Sequence, residues 1–152
     1  MRQGRVSSAD RRPSGWPEGR AGAYRTPVPV KPGLSAEVEL VVADADTAVA
    51  QRTGKVAVLA TPRVVALCEE ASFKAVEHAL DDSQTTVGMQ VQLDHLAPTA
   101  VGHTVAAEAT VEKVNGRRVI FTVSVNDERG LIAVGRVTRV IVDTDRFLDK
   151  TR

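Results

Sequence analysis

The sequence predicts an α+β protein in which a sheet of five strands packs on one long helix. Three observations carry this. One stretch, Thr61 to about Leu80, repeats apolar residues at helical spacing. Five other stretches alternate apolar and polar residues with a period of two. The turn signals Asn115-Gly116 and Glu128-Arg129-Gly130 separate the last three of these, which makes their pairing antiparallel. At 152 residues the chain is most simply one domain. Apolar residues make up 43% and aromatic residues 3%, so the core must be built from Val and Ala, and Val favours strands.

SAEVELVVAD places Ala36, Val38, Leu40 and Val42 on one face and is the first expected strand. DTAVAQRTGKVAV, broken by Thr53-Gly54, reads as a loop or short helix. In the helix, Val64, Leu67, Cys68, Ala71 and Ala75 share a face, and DDSQ ends it. TTVGMQVQLDHL is expected to carry Val87, Met89, Val91, Leu93 and His95 on one face. Val105, Ala107, Ala109 and Val111 alternate in the next strand, and Val119, Phe121, Val123 and Val125 in the one after. In the last, Leu131, Ala133, Val137 and Ile141 share a face. Helix on sheet is an α+β solution. This element order matches the hot-dog fold, in which the sheet wraps around the helix.

Residues 1–33, rich in Arg, Gly and Pro, read as a disordered leader, and residues 34–148 as the folded domain. Residues 1–26 hold six arginines against Asp10 and Glu18, a net charge of +4; the remaining 126 residues carry −3. A nucleic-acid arm is the alternative reading of the leader, but the acidic remainder is unlike a nucleic-acid binder. No apolar run approaches the roughly 20 residues of a membrane span. No apolar segment follows the N-terminal arginines, so no secretory signal is expected. The single cysteine, Cys68, excludes an internal disulfide. A cytoplasmic protein is the expectation.

Several residues could carry chemistry. Thr61 before Pro62 suits a helix N-cap, and a helix N-terminus also presents N–H groups to an anion or oxyanion. Glu69 and Glu70 point about 100° apart, so one is solvated and the other lies nearer the sheet. A buried carboxylate needs a partner or a task. His95, in step with an apolar strand face, is either a packed core residue or half of an acid-base pair with a helix carboxylate. Arg139 shares a face with Val137 and Ile141 and is either a buried cation or a rim ion pair. Gly88 interrupts a strand, for a bulge or for close approach of a ligand. Cys68 reads as a packed thiol, and His78 and His103 show no partner. No metal-ligand spacing, Gly-rich phosphate loop or Gly-x-Ser-x-Gly elbow is present.

LATPRVVALCEEA (59–71), TTVGMQVQLDHLAPTAVGHTV and VGRVTRVIVD together resemble the fluoroacetyl-CoA thioesterase-like branch of the hot-dog thioesterases. The likeness covers about Leu34 to Phe147. It rests on Thr61 and Glu69 eight apart, Gly88 and His95 seven apart, and the run from His95 through Thr99 to Gly102. The resemblance implies a catalytic set of Thr61, Glu69 and His95, with Gly88 and Arg139 near the substrate. It implies hydrolysis of a short- or medium-chain acyl-CoA by a homodimer or higher homo-oligomer, with active sites at or near the subunit interface and no cofactor. Glu69 would be nucleophile or general base, His95 would move protons, and Thr61 would hydrogen-bond the acyl carbonyl or Glu69. The fluoroacetyl-specific enzyme has a phenylalanine-bearing lid before its threonine; here that stretch is AQRTGKVAV, without an aromatic. The alternative is a non-catalytic acyl-CoA or acyl-carrier binding module on the same scaffold. A hot-dog hydratase is a third option, although no Asp/His arrangement typical of those enzymes is visible.

Overall fold

The computed structural model describes residues 29–152. Most of the expected leader, residues 1–28, therefore lies outside the described residues. Strand β1 (Ser35–Val41) is followed by a 3-10 turn (Asp44–Asp46) and a long loop into helix α1 (Thr61–Val76), which a further 3-10 turn (Glu77–Ala79) extends. Strands β2 (Gln84–His95), β3 (Thr104–Asn115), β4 (Arg118–Asp127) and β5 (Gly130–Asp143) complete one antiparallel sheet in the order β1-β3-β4-β5-β2. A short helix, α2 (Thr144–Asp149), follows. The sequence reading did not anticipate it; the Asp143 side chain caps it by accepting from Arg146 N–H. Among the described residues no helix is long and apolar enough to cross a membrane.

The period-two pattern is realised where the strands are regular. Val105, Ala107, Ala109 and Val111 on β3, and Val119, Phe121, Val123 and Val125 on β4, are all buried. They meet Val64, Leu67, Cys68, Ala71 and Val76 of α1 in one core, so the sheet curls around the helix. Small Val and Ala side chains let the two approach closely, and among the described residues Phe121 is the largest side chain sealed inside.

Irregularities change three expectations. The β3–β4 hairpin forms, but its two-residue loop is Gly116-Arg117, flanked by the pair Asn115–Arg118, with Gly116 at φ 60°. Glycine at the first central position suits that left-handed turn. In β5, Leu131 is 47% exposed and Ile132 is buried instead, because a bulge opposite Val125 and Asn126 shifts the phase. In β2 a bulge between Gly88 and Gln90 does the same. Val87 and Met89 therefore leave the face that carries Val91, Leu93 and His95, and Met89 is 50% exposed. Thr86 and Gly88, paired with Ile141 and Arg139, take their places.

The β4–β5 turn is pinned by Asp127. Its carboxylate accepts from the hydroxyl of buried Thr99 at 2.9 Å and from Arg129 N–H at 2.8 Å. Burial works to raise its pKa, but these hydrogen bonds and the Arg129 charge outweigh it and hold the group below its ordinary 3.8. A carboxyl with a depressed native pKa stabilises the fold above the unfolded value and stops doing so as pH falls through the native one. Asp127→Asn is thus expected to lower the thermal midpoint at neutral pH by a few degrees, roughly 1 kcal/mol. The gap to wild type should close as pH drops below about 4. A gap that stays constant across that range would remove the charge from the explanation.

Candidate active site

Thr61, Val65, Glu69 and Phe73 recur every four residues along α1 and form one stripe on a flank that its own sheet covers incompletely. All four are exposed or half-buried, whereas the opposite positions, Val64, Leu67, Cys68 and Ala71, are sealed. The stripe runs beside β2, an edge of the sheet.

Two clusters lie along it. At the N-terminal end of α1, Thr61 Oγ1 sits 2.8 Å from His95 Nδ1. The helix N-cap is Ala60, not Thr61, and no side chain caps the end. Thr61 is the first helical residue, and its hydroxyl is turned across to β2 rather than back to the helix. His95 Nε2 is buried and has no partner among the described residues. A buried polar nitrogen without a partner costs free energy unless something outside the chain satisfies it. A cavity of about 350 Å³ opens beside this pair, between the loop before α1 and the segment after β2.

The second cluster lies two turns further along the helix. A Cβ built on Gly88 would collide with Glu69 Oε1, so glycine is what lets the carboxylate lie against the strand. Opposite Gly88, Arg139 is buried, which settles in favour of a buried cation over a rim ion pair. Its Nε donates to Thr86 Oγ1 and its Nη2 to Thr86 C=O, both at 2.9 Å. The guanidinium also lies over the Phe73 ring, 5.9 Å from its centroid. Nη1 is left facing Glu69 Oε1 at 3.8 Å, an ion pair rather than a hydrogen bond. The Glu69 side chain is 39% exposed, so this pair contributes little stability; the Thr86 bonds hold the arginine in place. Burial lowers the Arg139 pKa, and the Glu69 charge works in the opposite direction.

The sequence-expected residues thus fall into two pairings within one chain, Thr61 with His95 and Glu69 with Gly88 and Arg139. Glu70 is exposed. Thr86 and Phe73, which hold Arg139, were missed by sequence reasoning. Phe73 stands four residues after Glu69, a usable signal, but Thr86 had none without the bulge. The Cys68 thiol is pushed up to about 11 by burial, so it stays protonated and inert. His103 pairs with Glu128 at 3.1 Å and His78 with Glu77 at 3.6 Å, both on the surface. A larger concavity of about 550 Å³, lined by Glu108, Thr110 and Arg136 among others, lies on the outer face of the sheet and touches none of the site residues.

The sequence profile of the fluoroacetyl-CoA-specific thioesterases matches residues 42–145, a span that contains both clusters. The chain belongs to that family. It is a thioester hydrolase with a hot-dog fold. The fluoroacetyl-CoA thioesterase of Streptantibioticus cattleyicolor is 32% identical over 95 residues, which are 62% of this chain and 68% of that protein. A Thermus thermophilus thioesterase superfamily member is 32% identical and superposes with a TM-score of 0.76 over 82% of this chain and 92% of its own. A solved structure of a fluoroacetyl-CoA thioesterase is 26% identical, with a TM-score of 0.76 over 80% of this chain and 95% of its own.

The contact between Gly88 and Glu69 yields a test. Gly88→Ala is compatible with a strand and forces only the end of the Glu69 side chain to move. The variant is expected to unfold within a few degrees of wild type yet lose at least about tenfold in thioester hydrolysis, because the carboxylate is displaced by an ångström or more. Full activity in a variant carrying alanine at this position would separate Glu69 from the chemistry.

Proposed function

We propose that this is a cytoplasmic acyl-CoA thioesterase acting on short- or medium-chain substrates, with Thr61, Glu69 and His95 as its catalytic set and residues 34–148 as its catalytic domain. The observation that carries the reading is the buried Nε2 of His95, without a partner among the described residues, whose other nitrogen is tied to Thr61. If the Thr61 hydroxyl donates to Nδ1, the neutral imidazole carries its proton on Nε2. That proton is then available to the sulfur of a departing thiolate.

Glu69 either takes a proton from the attacking water or attacks the acyl carbonyl itself, with water then cleaving the acyl-enzyme anhydride. In either route the C–S bond breaks and water supplies the new oxygen of the acid; His95 protonates the thiolate and recovers its proton from that water, and the products are a carboxylate, free CoA and one proton. Arg139, held by Thr86, keeps a fixed positive charge beside Glu69 and the developing oxyanion. The N-terminal N–H groups of α1 and the Gly88 N–H are further candidates for the oxyanion.

The two clusters also favour a homodimer. Thr61 and Glu69 are eight residues apart, about 12 Å along the helix, too far for one chain's His95 and Glu69 to share one carbonyl. β2 is an open edge, and Met89 on its bulge is 50% exposed. Antiparallel pairing of two β2 edges about a twofold axis at Gln92 sets Val91 across from the partner's Leu93 and, past the bulge at Met89, Gly88 across from the partner's His95. Each site then combines Glu69 and Arg139 of one subunit with Thr61 and His95 of the other.

Complementation tests both parts of the proposal. Glu69→Gln and His95→Ala are each expected to lower release of free CoA by at least about a hundredfold while the fold survives. Unfolding and refolding the two variants together should restore about a quarter of wild-type activity, since half of the dimers are mixed and each mixed dimer regains one of two sites. No recovery would place the set within one subunit. Undiminished activity in both single variants would remove these residues from catalysis, and tight acyl-CoA binding without turnover by the wild type would favour a binding module.

A further inference from the structure

We propose that the acyl group taken by this site is a neutral aliphatic chain of about four to eight carbons, seated in the cavity beside His95, and that Val56 and Leu96 set this preference. The inference rests on the thioesterase reading above and names its substrate class.

The cavity of about 350 Å³ starts at Thr61 and His95. Its walls are otherwise largely aliphatic, Val56, Val58, Leu59, Leu96 and Ala97 among them, with Thr53 as a further polar residue, and among the described residues no Asp, Glu, Lys or Arg lines it. Lys55 and Arg52, in the same loop, are exposed and take no part in the wall. A carboxylate or other charged acyl terminus would therefore meet no counter-charge among the described residues of the wall, whereas an aliphatic chain would find apolar partners there. At the roughly 30 Å³ that a water occupies in the liquid, the space holds about ten heavy atoms, including the thioester group itself. That leaves room for a medium-length chain and far exceeds what a two-carbon acyl group fills.

The walls are fixed before any substrate arrives. Ala48 N–H donates to Val58 C=O and Thr53 N–H to Ala48 C=O, both at 2.9 Å, which closes the loop. Arg52 at the tip holds a left-handed φ of 63°, a conformation a non-glycine residue keeps only when its surroundings impose it. On the other side Leu96 N–H donates to Ile132 C=O at 2.7 Å. Val56 and Leu96, on opposite walls, are nevertheless 59% and 60% exposed. Two large aliphatic side chains on tethered backbone, open to solvent beside His95, suit an apolar ligand.

The test is kcat/KM, from thiol release, for acetyl-, butyryl-, hexanoyl-, octanoyl-, succinyl- and fluoroacetyl-CoA. Values are expected to rise about fourfold per added methylene from acetyl to hexanoyl, the gain from burying each one. Butyryl-CoA should exceed succinyl-CoA, of equal chain length but charged, by at least about tenfold. In Val56→Phe and Leu96→Ser the hexanoyl-to-acetyl ratio should fall at least about fivefold. A flat chain-length profile, or succinyl- or fluoroacetyl-CoA as the best substrate, overturns this inference and leaves the thioesterase reading standing. Release of CoA from none of the six overturns that reading and this inference with it. The wild-type panel decides without either variant.

Discussion

The site depends on a single extra residue in β2. Gly88 and His95 are seven positions apart, and in a regular strand an odd separation sends two side chains to opposite faces. The bulge between Gly88 and Gln90 reverses the phase once, so Gly88 and His95 both face α1. Thr86 is carried onto that face with Gly88, and its hydroxyl and carbonyl then bind Arg139. Without the bulge, one of the two clusters would lie on the outer surface of the sheet.

The helix is matched to this strand by its own period. Thr61, Val65, Glu69 and Phe73 fall at successive i, i+4 positions, so the polar members ride on one flank while Val64, Leu67 and Ala71 anchor the other in the core. A five-stranded sheet curled round one helix buries most of that helix and leaves the flank beside its edge strand half-covered. That flank is where a carboxylate can be partly solvated yet held against a glycine, and where a histidine nitrogen can be buried with no partner among the described residues. The incompleteness of the fold and the location of the site have the same cause.

The two concavities differ in their surroundings as well as in size. The larger one lies on the outer sheet face among Thr110, Thr122, Glu108 and Arg136, away from His95. The smaller one adjoins Thr61 and His95, and among the described residues its lining is largely aliphatic and carries no Asp, Glu, Lys or Arg.

The sequence by itself determined the elements and their order, because helix and strand periods are local properties of a few neighbouring residues. It also marked Thr61, Glu69, Gly88, His95 and Arg139, whose types and spacings stand out against Val- and Ala-rich surroundings. Only the tertiary structure decided how they group. The N-cap moved to Ala60 because the Thr61 hydroxyl finds His95 across the fold. Val87, Met89 and Leu131 left the faces that alternation assigned them because bulges arise from pairing between strands, which no single strand encodes. Arg139 could be buried only because Thr86, 53 residues earlier in the chain, supplies two acceptors to a guanidinium that the sheet shields from water.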